Sequence, residues 1–257
     1  MVRLHDIAAS LDSLLCTGEV PDYPAAHNGV QFENSGNVQG VAGAVDLSLR
    51  TIRLARAEGA NLLLVHHGLL WNGAEPIVGD VYRRVRALLE HDIAVYASHI
   101  PLDVHPQFGN NTLLAKELSL QPTGGFGRFQ GIHVGVMGDS EIQTFRLIEN
   151  VRAFAAEHSS IVRHTASDDT RITRRWAICT GAGASSDTLL EAIELGVDTL
   201  IVGEGPHHTA VRASDMGLVV IYAGHYATET LGVRALAEHI GRTFVIPWSF
   251  VNAPTGL

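Results

Sequence analysis

Cysteine is scarce in this sequence. The 257 residues include only two cysteines, Cys16 and Cys179, which lie far apart and form no CxxC motif. Neither a disulfide framework nor a zinc site built from thiolates is therefore expected. This usage agrees with a reducing compartment, and we expect a cytoplasmic protein.

Basic residues and long apolar segments are also scarce. Lys and Arg number 18 against 27 Asp and Glu, which gives a formal net charge of −9. Nucleic-acid backbones are held by clustered Lys and Arg, so general nucleic-acid binding is not expected. No apolar segment has the length needed to cross a bilayer, and Asp6 and Asp12 interrupt the apolar pattern of the N-terminus. We expect a small-molecule substrate, no nucleic acid and no membrane association.

What the sequence does contain is a repeated alternation of helical patterns and short apolar segments, which is typical of an α/β protein. Residues 61–65 (NLLLV) and 93–97 (IAVYA) are continuous apolar segments of the kind found in parallel strands covered on both faces. Pro101 argues against a helix between His99 and Asp103, whose side chains we therefore expect on a loop.

An internal comparison indicates a duplication. A shift of 137 residues aligns a strand, a helix and a second strand, placing Ser48 on Ser185 and Gly59 on Gly196. Two short α/β segments also resemble each other by chance, but chance does not explain why polar residues recur at the strand ends. We predict two related α/β subdomains, residues 1–122 and 123–257, which form one compact unit with a metal cleft between them. The glycine-rich residues 123–127 (TGGFG) favour a flexible boundary there.

The duplication extends to metal-type ligands. A shift of 126 residues aligns IAVYASHIPLD with VVIYAGHYATE, so that His99 falls on His225 and Asp103 on Glu229. Because Pro101 disfavours a helix in the first copy, we expect His225 at a strand end and Glu229 in the first turn of the next helix, where the helix dipole favours a carboxylate.

The apolar segment 61–65 leads directly into two histidines, His66 and His67. Neighbouring strand residues point to opposite faces, so both imidazoles reach one site if the chain turns at Gly68. Together with the duplicated residues they form a set of three imidazoles and two carboxylates, namely His66, His67, Asp103, His225 and Glu229.

This set suits Zn, Fe, Mn, Co or Ni, and ligand softness does not choose among them. Five ligands suffice for two divalent ions bridged by a carboxylate, for which Glu229 is the best candidate. His99, Glu204 and His207 are candidates for residues that orient the ligands or donate protons. Trp71, close to the two histidines in sequence, is a candidate for lining a substrate pocket or for packing in the core or at a subunit interface.

The loop GAGASS (181–186) offers a different interpretation, because it resembles a dinucleotide-binding loop with Glu204 near the position of the ribose-binding acid. Ser186 replaces the third glycine of that motif. A nicotinamide enzyme is therefore the least favoured hypothesis.

Five longer motifs resemble those of the GTP cyclohydrolase 1 type 2 homologues, also called interacting-factor-3-like proteins, and in particular their short bacterial form. The motifs are HNGVQ (27–31), VHHGLLWNG (65–73), HIPLDVHPQFGNN (99–111), GEGPHH (203–208) and AGHYATETLGVRALAEH (223–239). They cover nearly the whole chain.

The resemblance implies two related α/β subdomains, a dinuclear metal centre in the cleft between them and a toroidal homohexamer. By matching motif, it implies that His67 and Asp103 hold one ion, that His66 and His225 hold the other, and that Glu229 contacts both.

Two functions remain open. The first is a metal-dependent hydrolase acting on a nucleotide, a phosphoester or a cyclic amidine through a metal-bridging hydroxide, as the family name implies. The second is a non-catalytic metal-binding adaptor or regulatory protein.

Overall fold

A computed structural model describes residues 2–71, 73 and 75–256 of the protein. Position 72, within the motif VHHGLLWNG, and position 74, just after it, lie outside the described residues. The described residues divide into two units. The first lies within Met1–Phe108 and Gly232–Ala253, and the second within Gly109–Leu231 and Pro254–Leu257.

The first unit is built around a mixed sheet. Its elements are β1 (Val2–Arg3), α1 (Leu4–Leu15), β2 (Gly29–Phe32), β3 (Asn37–Val38), β4 (Val41–Asp46), α2 (Leu49–Ala57), β5 (Leu62–His67), α3 (Gly79–His91), β6 (Ala94–Ala97), α4 (Ile100–Asp103) and, after the second unit, β13 (Trp248–Phe250). The main sheet has the order β13-β4-β5-β6-β2, and its first four strands are parallel. The short strands β1 and β3 form a separate antiparallel pair.

The apolar segments predicted as strands form the centre of this sheet. Leu62 to Val65 are buried, as are the residues of β6, because helices cover both faces of a parallel sheet. The N-terminal helix α1 buries Leu4, Ile7 and Leu11 at helical spacing.

The second unit is also a mixed α/β unit. Its elements are α5 (Asn110–Glu117), β7 (Gly124–Phe129), β8 (Ile132–Gln143), α6 (Thr144–Glu157), β9 (Arg163–His164), β10 (Ile172–Cys179), α7 (Ser186–Glu194), β11 (Thr199–Val202), α8 (His207–Asp215) and β12 (Val219–Tyr222). The sheet order is β7-β8-β10-β11-β12-β9, with β10, β11 and β12 parallel. The long helix α9 (His225–Phe244) begins in the second unit and continues into the first.

The division into units differs from the predicted boundary after residue 122. Helix α5 belongs to the second unit, where the side chain of Asn111 donates to the Val134 carbonyl at 2.7 Å and accepts from the Thr180 amide at 2.9 Å. The C-terminal strand β13 belongs to the first unit, because it pairs with β4.

Two local predictions were wrong. Residues 123–127 are not a flexible boundary, because β7 pairs with β8 over this stretch. Its glycines permit a close strand contact, since a Cβ atom on Gly125 would lie 2.7 Å from Cβ of His133. Pro101 does not prevent a helix either: it lies in the first turn of α4, where its missing N–H is not needed for helical hydrogen bonding.

Helices α2 and α7 support the predicted duplication, because each begins and ends 137 residues from its counterpart. Ser48 and Ser185 are their N-caps, and each hydroxyl accepts from the amide three residues later at 3.1 Å. The glycines that follow, Gly59 and Gly196, have φ angles of 74° and 69°.

No helix among the described residues is long and apolar enough to cross a lipid bilayer.

Candidate metal-binding groups

Polar residues of the first unit collect where its parallel strands end. Strand β4 ends at Asp46, β5 ends at His67, and β6 is followed by Ser98 and His99. Because parallel strands end at the same edge of a sheet, these side chains lie close together. Strand β5 continues through His66 and His67 and ends before Gly68, where the turn was predicted, and the ring centroids of the two histidines lie 4.8 Å apart.

Three imidazoles and one carboxylate form what we call the first-unit group: His66, His67, His99 and Asp103. Nitrogen atoms of the three histidines lie within 4.8 Å of one another. Oδ2 of Asp103 lies 3.5 Å from Nε2 of His66. The group thus contains three of the predicted ligands together with His99. The resemblance pairs Asp103 with His67, and that assignment of ions stays a prediction.

Each imidazole of this group is held through its Nδ1 atom. Nδ1 of His66 lies 2.9 Å from the Ser98 carbonyl oxygen, Nδ1 of His67 lies 2.9 Å from Asp46, and Nδ1 of His99 lies 2.8 Å from Asp22. Because these partners only accept hydrogen bonds, Nδ1 carries the proton and donates. In the neutral ring, Nε2 then carries a lone pair that can bind a cation.

Asp22 was missed by the sequence analysis. Its side chain is 6% exposed and accepts hydrogen bonds from His99, the Asn28 side chain, and the amides of Tyr23 and Ile100. Burial alone would raise the pKa of Asp22, but these hydrogen bonds outweigh burial and lower the pKa. Nothing in the local sequence links Asp22 to His99, which is 77 residues away.

Asp46 was also missed, although a sequence signal existed. It is the last residue of the strand that neighbours β5, and it is the direct cross-strand partner of His67. Aligning the ends of the two predicted strands would have identified a carboxylate beside the second histidine.

Trp71 lies over this group. Its ring centroid is 4.7 Å from that of His67 and 4.4 Å from that of His99. It lines a cavity of about 170 Å3 together with His67, Asp46 and Arg84. Trp71 was predicted either to line a pocket or to pack in the core or at a subunit interface, and in the structure it lines a cavity.

The loop that carries Trp71 is tied to the motif HNGVQ. The side chain of Gln31 accepts from the Leu70 amide at 3.0 Å and donates to the His27 carbonyl. Gly68 lies against Gln31, since a Cβ atom on Gly68 would be 2.3 Å from its Oε1. This motif therefore positions the loop after His67.

A second group, which we call the second-unit group, consists of Glu204, His225 and Glu229. Nδ1 of His225 lies 2.8 Å from Oε1 of Glu204, and Nε2 of His225 lies 3.1 Å from Oε2 of Glu229. Glu204 follows β11, and His225 follows β12. This arrangement repeats the pattern of the first unit, in which Nδ1 is engaged and Nε2 faces a carboxylate.

The predicted local structure of this pair was wrong in part. His225 is the first residue of α9 and not a strand residue, and the first turn of α9 holds no acidic residue. Glu229 lies in the second turn, so its contact with His225 is an ordinary pair at i and i+4 on one helix face. What distinguishes the pair is burial, since Glu229 is 3% exposed.

The glycine-rich loop 181–186 packs against Glu229. A Cβ atom on Gly181 would lie 2.2 Å from Oε1 of Glu229, and Gly181 has a φ angle of 61°. Gly183 approaches the Cys179 carbonyl equally closely, and Ser185 caps α7. These contacts explain the glycines of the loop without a dinucleotide.

The charge of the second-unit group favours a cation. Burial lowers the pKa of His225, but the carboxylates of Glu229 and Glu204 outweigh it and raise the pKa to about 9. Without a metal ion, Nε2 of His225 therefore carries a proton that lies between His225 and Glu229. A metal ion binding there would have to displace this proton.

His207, the third candidate for a supporting role, is the first residue of α8. It lines a cavity together with Glu204.

The donor atoms of both groups fit a divalent metal of borderline character. They are imidazole nitrogens and carboxylate oxygens without a thiolate, the set used by Zn, Fe, Mn, Co and Ni sites. The close approach of Gly181 further fits a carboxylate that must be held in one position.

Comparison with known proteins identifies relatives across the whole chain. The family model described as Duf34/NIF3 (NGG1p interacting factor 3) matches residues 2–254. A protein of Deinococcus radiodurans named GTP cyclohydrolase 1 type 2 homolog is 40% identical over 249 residues, which cover 96% of this chain and 92% of that protein. A protein of the same name from Pyrococcus abyssi is 39% identical over 255 residues, covering 98% and 99%.

The fold is similar to a solved structure described as protein ybgI, of unknown function. The two superpose with a TM-score of 0.88 at 28% identity, covering 100% of each chain.

Proposed function

The chain belongs to the Duf34/NIF3 family, and from this premise we propose that it is a dinuclear metal-binding protein that hydrolyses a nucleotide, a phosphoester or a cyclic amidine. The proposed ligands are His66, His67 and Asp103 of the first unit, and His225 and Glu229 of the second. Relatives named GTP cyclohydrolase 1 type 2 homolog motivate the substrate class.

One observation carries this proposal. All four imidazoles of the two groups have Nδ1 within 2.9 Å of a carboxylate or carbonyl oxygen. Histidines that bind metals are held in this way, because a hydrogen bond from Nδ1 fixes the ring and makes Nε2 more basic. Four rings held alike, at corresponding strand ends of two units, favour metal binding over incidental burial of polar residues.

The supporting residues have separate roles in this proposal. Asp46 and Asp22 orient His67 and His99, and Glu204 orients His225. Trp71 shields the imidazoles from bulk water on one side. A divalent ion bound here would act as a Lewis acid on a phosphoryl or amidine substrate and lower the pKa of a bound water.

The test combines metal analysis with an activity screen. Purified protein of measured metal content is assayed against nucleotides, phosphoesters and cyclic amidines, with Zn, Fe, Mn, Co and Ni each supplied in turn. We expect two ions per chain and turnover of at least one substrate. His67→Ala and Glu229→Gln should each lower activity more than about 100-fold, because a ligand is lost and not merely a residue that orients one.

Two variants serve as matched controls. His5→Ala removes an imidazole from the first unit whose side chain is 89% exposed, and Glu141→Gln neutralises an exposed carboxylate of the second. Both should keep the metal content and the activity. If the ligand variants bind metal and turn over substrate as well as these controls do, the proposed site is wrong.

Metal binding without turnover of any substrate would favour the non-catalytic adaptor. In that case, removal of the metal should change the oligomeric state or partner binding and no reaction rate. The toroidal homohexamer, measured by light scattering, and the cytoplasmic location are further parts of this proposal that come from the family resemblance and the cysteine usage.

A further inference from the structure

The second-unit cavity that His207 and Glu204 line has been assigned no ligand so far. Its volume is about 470 Å3. It opens beyond the carboxyl ends of β11 and β12, the edge at which open α/β sheets bind ligands. Most small-molecule sites have volumes of about 300–1,000 Å3, so a ligand the size of a nucleotide fits.

One wall of the cavity carries positive charge. Arg163 of β9 is the antiparallel partner of Tyr222, which places both side chains on the same face of the sheet. Among the described residues, no carboxylate pairs with Arg163, and its guanidinium makes one long contact of 3.4 Å to the Val162 carbonyl. In a chain of net charge −9, this guanidinium is available to an anionic ligand.

The start of α8 adds to this wall. Pro206 is the N-cap, and the helix of nine residues begins at His207. The third helical amide, that of Thr209, already donates to the Pro206 carbonyl at 3.0 Å. The amides of His207 and His208 precede it and have no partner within a helix, and the helix dipole makes this end favourable for an anion.

Apolar side chains complete the lining of the cavity. They are Ile161, Pro206, Ala210 and the ring of Tyr222. Ile161 is 69% exposed, which is unusual for a large aliphatic side chain beside a cavity and suits contact with the planar or apolar part of a ligand. Four glycines contribute backbone surface, and Glu204 and His207 are the other lining residues; the glycines are Gly203, Gly205, Gly224 and Gly256.

We propose that this cavity binds the phosphate-bearing part of a nucleotide-sized ligand, with the phosphate on Arg163 and the first turn of α8 and the planar part against Ile161 and Tyr222. The inference rests on the proposed function in one respect, which is that the ligand is the substrate of the second-unit group. Glu204 connects the two, because it lines the cavity and accepts a hydrogen bond from His225.

The test is a binding measurement on metal-free protein, so that phosphate bound by metal ions does not contribute. The full chain is treated with chelator, its metal content is verified, and it is titrated calorimetrically at fixed ionic strength with guanosine 5′-monophosphate, ribose 5-phosphate, inorganic phosphate and guanosine. We expect saturable binding of the nucleotide, with tighter affinity than that of phosphate or guanosine alone.

Two variants test the charged contact and the apolar contact separately. Arg163→Gln should weaken nucleotide and phosphate binding at least about 10-fold, because a charge-assisted hydrogen bond is lost, and should leave guanosine binding unchanged. Ile161→Ser should weaken nucleotide binding and leave inorganic phosphate unchanged. Arg174→Gln and Leu190→Ser, which alter exposed residues of the same unit, are the matched controls and should have no effect.

The inference is overturned if metal-free protein shows no saturable nucleotide binding, or if Arg163→Gln binds it as tightly as Arg174→Gln does. Nucleotide binding that depends on Arg163, without turnover by the metal-loaded protein, supports this cavity and counts against the proposed hydrolysis alone. Turnover of a phosphate-bearing substrate with a KM that Arg163→Gln leaves unchanged supports hydrolysis and refutes this cavity.

Discussion

The first-unit and second-unit groups occupy corresponding strand ends but contain different sets of donor side chains. The first unit presents three imidazoles, each oriented by a carboxylate or a carbonyl, and an indole that covers them. The second presents one imidazole between two carboxylates, one of which is held by a glycine loop. Corresponding strand ends of two α/β units thus carry mostly imidazoles in the first unit and mostly carboxylates in the second, and both are kinds of side chain that bind metal ions.

We expect the largest effect at the contact between Gly181 and Glu229, which has no counterpart at Gly196. Gly181→Ala adds a Cβ atom 2.2 Å from Oε1 of Glu229, whereas Gly196→Ala, at a similar positive φ angle, meets nothing closer than 4.0 Å. We expect Gly181→Ala to lower the free energy of unfolding by about 3 kcal/mol and to reduce metal binding, and Gly196→Ala to cost about 1 kcal/mol through backbone strain alone. Urea unfolding and metal analysis measure both. Equal costs would show that the position of Glu229 does not depend on this contact.

Asp22 tests whether the first-unit group depends on its buried carboxylate. In Asp22→Asn, the new NH2 group faces the donors of Asn28 and Ile100, so we expect a loss of about 2 kcal/mol at neutral pH. Because the folded protein lowers the pKa of Asp22, the contribution of this residue is present above its unfolded pKa of about 3.9 and is lost as the pH falls through the folded value.

Urea unfolding of the wild type and of Asp22→Asn at pH 7 and at successively lower pH values measures this effect. The difference between the two proteins should shrink in acid. A difference that stays constant with pH would mean that the charge of Asp22 does not contribute to the stability of the first unit.

Removing the carboxylate that orients His67 or the one that orients His225 compares the contributions of the two groups to metal binding. Asp46→Ala and Glu204→Ala each remove the acceptor for Nδ1 and leave the proposed ligands intact. We expect each to weaken metal binding by about 10-fold to 100-fold, the usual effect of losing the residue that orients a ligand. Competition with a chelator of known affinity measures the change. No effect of Asp46→Ala beside a large effect of Glu204→Ala would restrict metal binding to the second-unit group.

The smallest effect tests the duplication itself. Ser48 and Ser185 cap α2 and α7 with the same geometry, so Ser48→Ala and Ser185→Ala should each lower the free energy of unfolding by about 1 kcal/mol. Chemical unfolding of the two variants should give values that agree within a few tenths of a kcal/mol. A clear inequality would mean that the two helices contribute differently despite their common geometry.

Local pattern was sufficient to predict the α/β class and the offset of 137 residues between two helices, whereas the metal ligands stay a prediction. Apolar segments such as 61–65 are buried by any sheet that helices cover on both faces, and Ser48 caps its helix through atoms only three residues away. These features depend on neighbours in the chain, so the amino-acid sequence specifies them directly.

Three features became clear only in the folded structure. Pro101 was expected to exclude a helix but lies in the first turn of α4, because that helix is a single turn that does not need its N–H. The glycines of residues 123–127 form a strand because a second strand approaches them closely. Asp22 reaches His99 across 77 residues of sequence. The Pro101 helix follows from the local geometry of a first helical turn, the strand at 123–127 needs its hairpin partner β8, and the contact of Asp22 with His99 arises only when distant parts of the chain pack together.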